Sequence, residues 1–223
     1  MLEQRLHADF SRRVVIHTEQ QPWIPSPQAG VQRRPLDRIG GEVARATSIV
    51  RFAPESAFPA HQHGLGEELL VLEGVFSDER GDYPRGTYVR DPPGSGHSPR
   101  TDLGCMLLVK LRQMAVNERQ RVVIDTSSSA WQAGDVAGHT RLQLYAAEDG
   151  GERVTMERLG AHTALSAGDC PGGEELLVLS GELADEHGSY GAYTWIRNPD
   201  GYRRGLRSQA GATYWAKRGH LRP

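Results

Sequence analysis

His61 and His63 stand one residue apart in PAHQHGLGEELLVLEG, residues 59–74, and Glu67 follows four positions after His63. Imidazole suits Zn, Fe, Cu and Ni, and a carboxylate hardens such a ligand set. In an extended chain alternate side chains share a face, so His61 and His63 point the same way. Glu67 keeps that parity if the Gly-Leu-Gly stretch at 64–66 bends without changing sides. In GTYVRDPPGSGH, residues 86–97, Gly86, Pro92, Gly94 and His97 fall at intervals of six, two and three. A tight proline-glycine turn there returns His97 beside the first strand. Three imidazoles and one carboxylate can then converge on a divalent transition metal, leaving one or two positions for water or substrate. A His-rich surface loop is the simpler reading, but His97 and its Gly/Pro frame agree with the cluster independently.

The elements that must position these residues come in duplicate. RVVIHTEQQPW (13–23) returns as RVVIDTSSSAW (121–131), and GEELLVLEG (66–74) returns as GEELLVLSG (173–181). Residues 66–94 and 173–201 share sixteen identities in twenty-nine positions. The chain therefore holds two homologous domains, 12–115 and 118–223, expected to pack as a pseudo-dimer. Short apolar runs such as RVVI, EELLVL and CMLLVKL, punctuated by Gly, Pro and Asp, read as β-strands. Residues 2–12 alone show a modest helical character.

The pattern HxH, three residues, Glu, six residues, Gly, followed by G-x5-P-x-G-x2-H, resembles both signature motifs of the cupin superfamily. The wording EELLVLEGVFSDERGDYPRGTYVRDPPGSGHSP is similar to the cupin domain of ChrR, a zinc-dependent anti-sigma factor, and the likeness runs through both repeats. The resemblance implies an all-β chain of two tandem cupin jelly-roll barrels, a bicupin, with metal inside the first barrel. It carries His61, His63, Glu67 and His97 over as the ligands, most naturally of zinc, with Fe, Ni or Mn as alternatives.

In the second repeat the ligand positions become Gly168, Cys170, Glu174 and Arg204. A guanidinium cannot ligate a metal but can pair with a carboxylate. The expected result is a dead site in which a Glu174–Arg204 pair replaces the ion. Nearby Arg204 would lower the Cys170 thiol pKa and make it reactive, although a small buried hydrophobe is the simpler assignment. Cys105, in GCMLLVKL, reads as core; facing the barrel interior, it could sense oxidants near the metal. Glu68, repeated as Glu175, reads as structural. His17, His139, His162, His187 and His220 read as surface or satisfied. Trp23 with Trp131, Tyr83 with Tyr190, and Tyr88 with Trp195 match across the repeats and read as packing.

A formal net charge of −2 and 38% hydrophobic content give no nucleic-acid surface, and apolar runs such as LLVL are far too short to cross a membrane. The N-terminal MLEQRLHADFSRR lacks a secretory core, and two cysteines make no disulfide framework, so a cytoplasmic protein is expected. The ChrR resemblance implies a regulatory role, a stress or oxidant sensor with a sigma factor or other protein as partner. ChrR-like proteins hold the sigma factor through an N-terminal helical zinc domain. With no cysteine before Cys105 and fewer than a dozen residues ahead of the first repeat, that module is not expected here. The alternative is a cupin dioxygenase, with His61, His63 and His97 on iron cleaving a small diketone or hydroxyketone and Glu67 as weak fourth ligand or base. Either reading allows a small-molecule ligand in the first barrel, and exposed sheet edges allow a homodimer.

Overall fold

A computed structural model describes residues 4–41 and 43–221. Among these residues the secondary structure is β apart from one 3-10 turn, Thr18–Gln20. The chain divides into two compact units. One comprises residues up to Ala8 with Gln21–Ser128, and the other comprises Asp9–Gln20 with residues from Ser129 on.

In the first unit the antiparallel order is Gln4–Leu6, Val31–Gly40, Ala44–Phe52, Cys105–Leu111, Glu67–Asp78, Thr87–Asp91, Val122–Asp125. Glu67–Asp78 lies between two neighbours, and its first six residues are buried on both faces. Leu69 and Val71 face a core with Val50, Phe52, Phe76 and Leu107, as period-two alternation requires. The second unit repeats the order as Gln132–Ala133, His139–Ala146, Arg153–Cys170, Tyr202–Arg218, Glu174–Ala184, Thr194–Asn198, Val14–His17.

The repeats and the units differ in one element. The opening strand of each repeat pairs in the other unit: Val14–His17 lies against Thr194–Asn198, and Val122–Asp125 lies against Thr87–Asp91. Apolar patterning marks RVVI as a strand but is identical in both copies, so it cannot specify which edge each copy joins.

Where helical character was expected at 2–12, Gln4–Leu6 forms a strand and residues 7–12 form turns and irregular structure. Gln4–Leu6 pairs with Arg38–Gly40. A segment too short to sustain a helix takes the ladder that a neighbouring edge offers. Residues 2 and 3 lie outside the described residues.

The two barrels also differ in the continuity of one pair of strands. In the second, Arg153–Cys170 and Tyr202–Arg218 pair over nearly their whole length, and neither contains proline. In the first, Pro54, Pro59 and Pro99 interrupt the corresponding pair, leaving short pieces at Ser56–Ala57, His61–Gln62, Gly96–His97 and Arg100–Thr101. Proline has no N–H to give to a ladder, so pairing breaks where it stands.

Candidate metal centre

One of those short pieces builds the site. His61 lies directly opposite His97 in the antiparallel pair His61–Gln62/Gly96–His97. The pairing continues through His63 N–H to Ser95 O (2.8 Å) and Gly94 N–H to His63 O (2.8 Å). Gly94, at φ +83°, turns the return strand. Gly66, at φ +77°, turns the chain from His63 into Glu67, and an added Cβ there would lie 2.3 Å from Met114 Sδ.

The three imidazole rings gather edge to face, with centroids 4.7–5.1 Å apart. Ligand atoms of His61, His63, Glu67 and His97 all lie within 4.8 Å of one another. His63 Nε2 is 3.3 Å and His97 Nε2 is 3.2 Å from Glu67 Oε2. Two ligand atoms each about 2.1 Å from one ion lie roughly 3.0–3.4 Å apart in octahedral or tetrahedral geometry. Both of these Nε2 atoms are buried and have no hydrogen-bond partner. Buried polar atoms left in that state call for a missing partner, and a metal ion fits all four residues.

The outer hydrogen bonds set the tautomers. His61 Nδ1 is 3.0 Å from Pro59 O, which only accepts, so Nδ1 carries the proton and Nε2 keeps its lone pair. Ser95 donates to Pro92 O at 2.6 Å, so the 3.0 Å contact between His63 Nδ1 and Ser95 Oγ runs from the imidazole N–H to the hydroxyl oxygen. His97 Nδ1 faces Asp78 Oδ2 at 3.5 Å, an electrostatic contact longer than a good hydrogen bond. Asp78 accepts from the Tyr83 hydroxyl (3.0 Å) and the Arg80 backbone N–H (2.7 Å). Tyr83 in turn accepts from Arg121 (3.0 Å), which also donates to Asp91 (2.7 Å). Metal-binding histidines are typically oriented by such partners on the other ring nitrogen.

The protonation directions of His63 and Glu67 agree with this, while His97 is held toward its protonated form. Burial lowers the His63 pKa, with Glu67 only partly opposing it. Burial would raise Glu67, but the close contact with His97 and the charges of the neighbouring imidazoles hold it below the usual range. Burial would lower His97, yet the close contact and charge of Glu67, with Asp91 and Asp78, leave it raised. The set thus favours an ionised carboxylate beside a neutral His63, the forms a metal requires.

In the second unit, Gly168 pairs opposite Arg204 as His61 does opposite His97. Arg204 donates to Glu174 from Nε and Nη2, and Arg218 (3.2 Å) and Asn198 (2.8 Å) add to it. Burial would raise the Glu174 pKa, but these partners bring it down to about 2. The expectation that Arg204 activates Cys170 does not hold. Arg204 is committed to Glu174, and burial together with the Glu174 charge pushes the Cys170 thiol up to about 12. Burial likewise lifts Cys105 to about 11, against thiolate formation, and Cys105 sits in the core.

Several partners escaped sequence reasoning. His139 is buried between the Asp135 N–H and Glu157, and His220 bonds Glu175 at 2.9 Å. Both read as structural histidines, and the buried pairs Glu68–Arg90 (3.2 Å) and Glu175–Trp195 (3.3 Å) are structural likewise. Trp23 is sandwiched by Arg34 and Arg51 at 4.2 and 4.3 Å. The relay Arg121–Tyr83–Asp78 was legible only as a repeated Asp and Tyr.

Two antiparallel β-barrels, one enclosing a cluster of three histidines and a glutamate, define a tandem cupin. More particularly, the chain belongs to the ChrR cupin-like family, whose domain model matches residues 11–115 and again 119–222. Solved structures share the fold. A candidate dioxygenase from Nostoc punctiforme is 14% identical, with TM-score 0.78 over 96% of this chain and 85% of its own. A cupin 2 conserved barrel domain protein from Leptotrichia buccalis is 11% identical, with TM-score 0.61 over 92% and 96%. A mutant salicylate 1,2-dioxygenase from Pseudoaminobacter salicylatoxidans is 14% identical, with TM-score 0.60 over 78% and 71%. At these identities the likeness concerns the fold alone. No curated protein matches the chain in sequence. Among the described residues no helix is long and apolar enough to cross a membrane.

Proposed function

We propose that the first barrel is a metal-dependent small-molecule site, with one divalent transition metal held by His61, His63, Glu67 and His97. The observation that supports it best is a cavity of about 280 Å³ whose wall includes all four of these residues. A purely structural ion has a closed shell, whereas a working ion keeps a position facing its ligand. The rest of the lining is largely apolar, including Val50, Phe58, Leu69 and Leu107. Such walls orient a small ligand and exclude water.

The reading we favour is a cupin-type oxygenase acting on a small ketone or related enolisable molecule. A bound iron would supply Lewis acidity and a path for electrons to oxygen. The chain's own part is to hold three imidazole Nε2 lone pairs in place through Pro59, Ser95 and Asp78. Glu67 stands where it can ligate or accept a proton from the substrate. Fold neighbours that include dioxygenases are consistent with this.

The family supports a second reading, a zinc-bound stress sensor acting through a sigma factor or another protein. Both cysteines are free and buried, which suits the cytoplasm in either case. Elemental analysis of protein purified without added metal, with oxygen uptake on a panel of small ketones, tests the pair. Stoichiometric iron with substrate-dependent uptake is the expected result. Stoichiometric zinc without uptake favours the sensor, and protein that takes up no metal overturns both.

A further inference from the structure

The charge lining the cavity is one-sided. Glu67 is the one carboxylate among the described lining residues, whereas Arg33, Arg38 and Arg112 all line it. None of the three has an ion-pair partner among the described residues. Arg38 donates to the Gly41 carbonyl, but its Nε is buried without a hydrogen-bond partner. Arg112 packs over Gly64, next to His63, so closely that a Cβ on Gly64 would lie 2.5 Å from Nη1. Burial and the Arg38 charge depress the Arg33 pKa, while Glu67 only partly opposes them. The second barrel shows the contrast. Register places Arg141 opposite Glu157 as Arg33 lies opposite Val50, and Arg141 is ion-paired with Asp135.

Three guanidinium groups without an ion-pair partner among the described residues give the cavity a positive potential beside the proposed ion. Guanidinium also matches a carboxylate in geometry, with two parallel N–H bonds to two oxygens. We propose that the cavity takes a small organic carboxylate, its acid group held by Arg33, Arg38 and Arg112 and its apolar body against Val50, Phe58 and Leu107. This rests on the reading of the first barrel as a small-molecule site, and narrows the ligand from a neutral ketone to an organic acid.

The test is calorimetric titration of the metal-replete full chain with propanoate, 2-oxobutanoate and benzoate, each beside its primary amide. At least one acid is expected to bind at least about tenfold more tightly than its amide. Arg33→Gln and Arg112→Gln should each weaken that acid by roughly 10–100-fold, the range of a hydrogen bond to a charged group. Metal content by elemental analysis should be retained in both variants. An amide that binds as well as its acid, absence of binding by all three acids, or an affinity indifferent to both substitutions overturns the proposal. If Arg33→Gln does not fold by circular dichroism, the half-buried Arg112 and the wild-type amide comparison still decide it. The metal reading fails separately: acids that bind a chain unable to take up metal leave the anion site standing, while full metal occupancy without preference for acids does the reverse.

Discussion

The first barrel holds a cavity beside its three histidines and Glu67, and the second fills the corresponding interior with charge. Strand register shows how. Leu107 pairs with Val50, and in the second barrel Tyr214 pairs with Glu157. Val31 pairs with Phe52, and there His139 pairs with Leu159. Leu111 and Arg218 end the same strand. Thus Val31, Val50, Leu107 and Leu111, all cavity-lining, correspond to His139, Glu157, Tyr214 and Arg218. These four form one network: Glu157 accepts from Tyr214 (2.6 Å) and His139 (3.2 Å) and meets Arg218, which reaches Glu174. Both barrels retain a buried glutamate at the start of the same strand, Glu67 and Glu174. In one it is compensated by imidazoles that an ion can join, and in the other by arginines. The difference teaches that the barrel without the histidines differs in more than those side chains. Its buried carboxylate has positive partners of its own, and larger polar side chains fill the space that is a cavity in the first barrel.

Glu174→Ala should break that arrangement most severely. It strands Arg204 and the inner end of Arg218, and leaving a buried charge without its partner costs about 3–5 kcal/mol. Calorimetric unfolding would show it; a change below about 1 kcal/mol would mean that the network contributes little.

Acid probes the same contrast. The folded Glu174 pKa of about 2 lies below that of an unfolded glutamate, about 4.3. Its stabilisation is therefore complete above pH of about 4.3 and is lost as pH falls toward 2. The shift is on the order of 3 kcal/mol. Glu174→Gln should flatten this part of the stability–pH curve, measured by chemical denaturation at each pH.

The first barrel should respond to the loss of a ligand instead. His97→Ala is expected to weaken metal binding by at least about 100-fold, exceeding the usual effect of outer-shell changes. Chelator should lower the melting temperature of the wild type but hardly move that of the variant. Full metal occupancy in His97→Ala, by elemental analysis, would refute the site.

The metal cluster was legible because its information is local: four ligand types and a Gly/Pro frame at fixed spacing. The β architecture was legible for the same reason, through alternation and punctuation. What escaped was partnership across the sheet. RVVI announces a strand but not the edge it joins. Glu157 and Arg218 look like ordinary polar residues of an alternating strand until register puts them where Val50 and Leu111 stand. Arg204 near Cys170 suggested a reactive thiol, because the sequence does not reveal that its charge is committed to Glu174. Aligning the repeats through Leu107 and Tyr214 would have exposed the filled cavity, since a run of apolar-to-charged changes on one face needs a common cause.

The smallest expected effect lies in the exchanged strands. Arg121 and Arg13 are counterparts, each delivered by the opening strand of the other repeat. Arg13 donates to Asp185 (2.7 Å), Tyr190 (2.8 Å) and Asn198 (3.0 Å), as Arg121 donates to Tyr83 and Asp91. Only in the first barrel does the chain continue, through Tyr83 and Asp78, to a ring of the histidine cluster, His97. Arg121→Ala should loosen Tyr83, let Asp78 drift from His97 Nδ1, and weaken metal binding by roughly tenfold, the low end for outer-shell partners. Arg13→Ala makes the same cut where there is no metal ligand to orient, so the metal affinity should not move. Competition against a chromophoric chelator reads both constants, and equal losses in the two variants would show that the strands act on the fold rather than on His97.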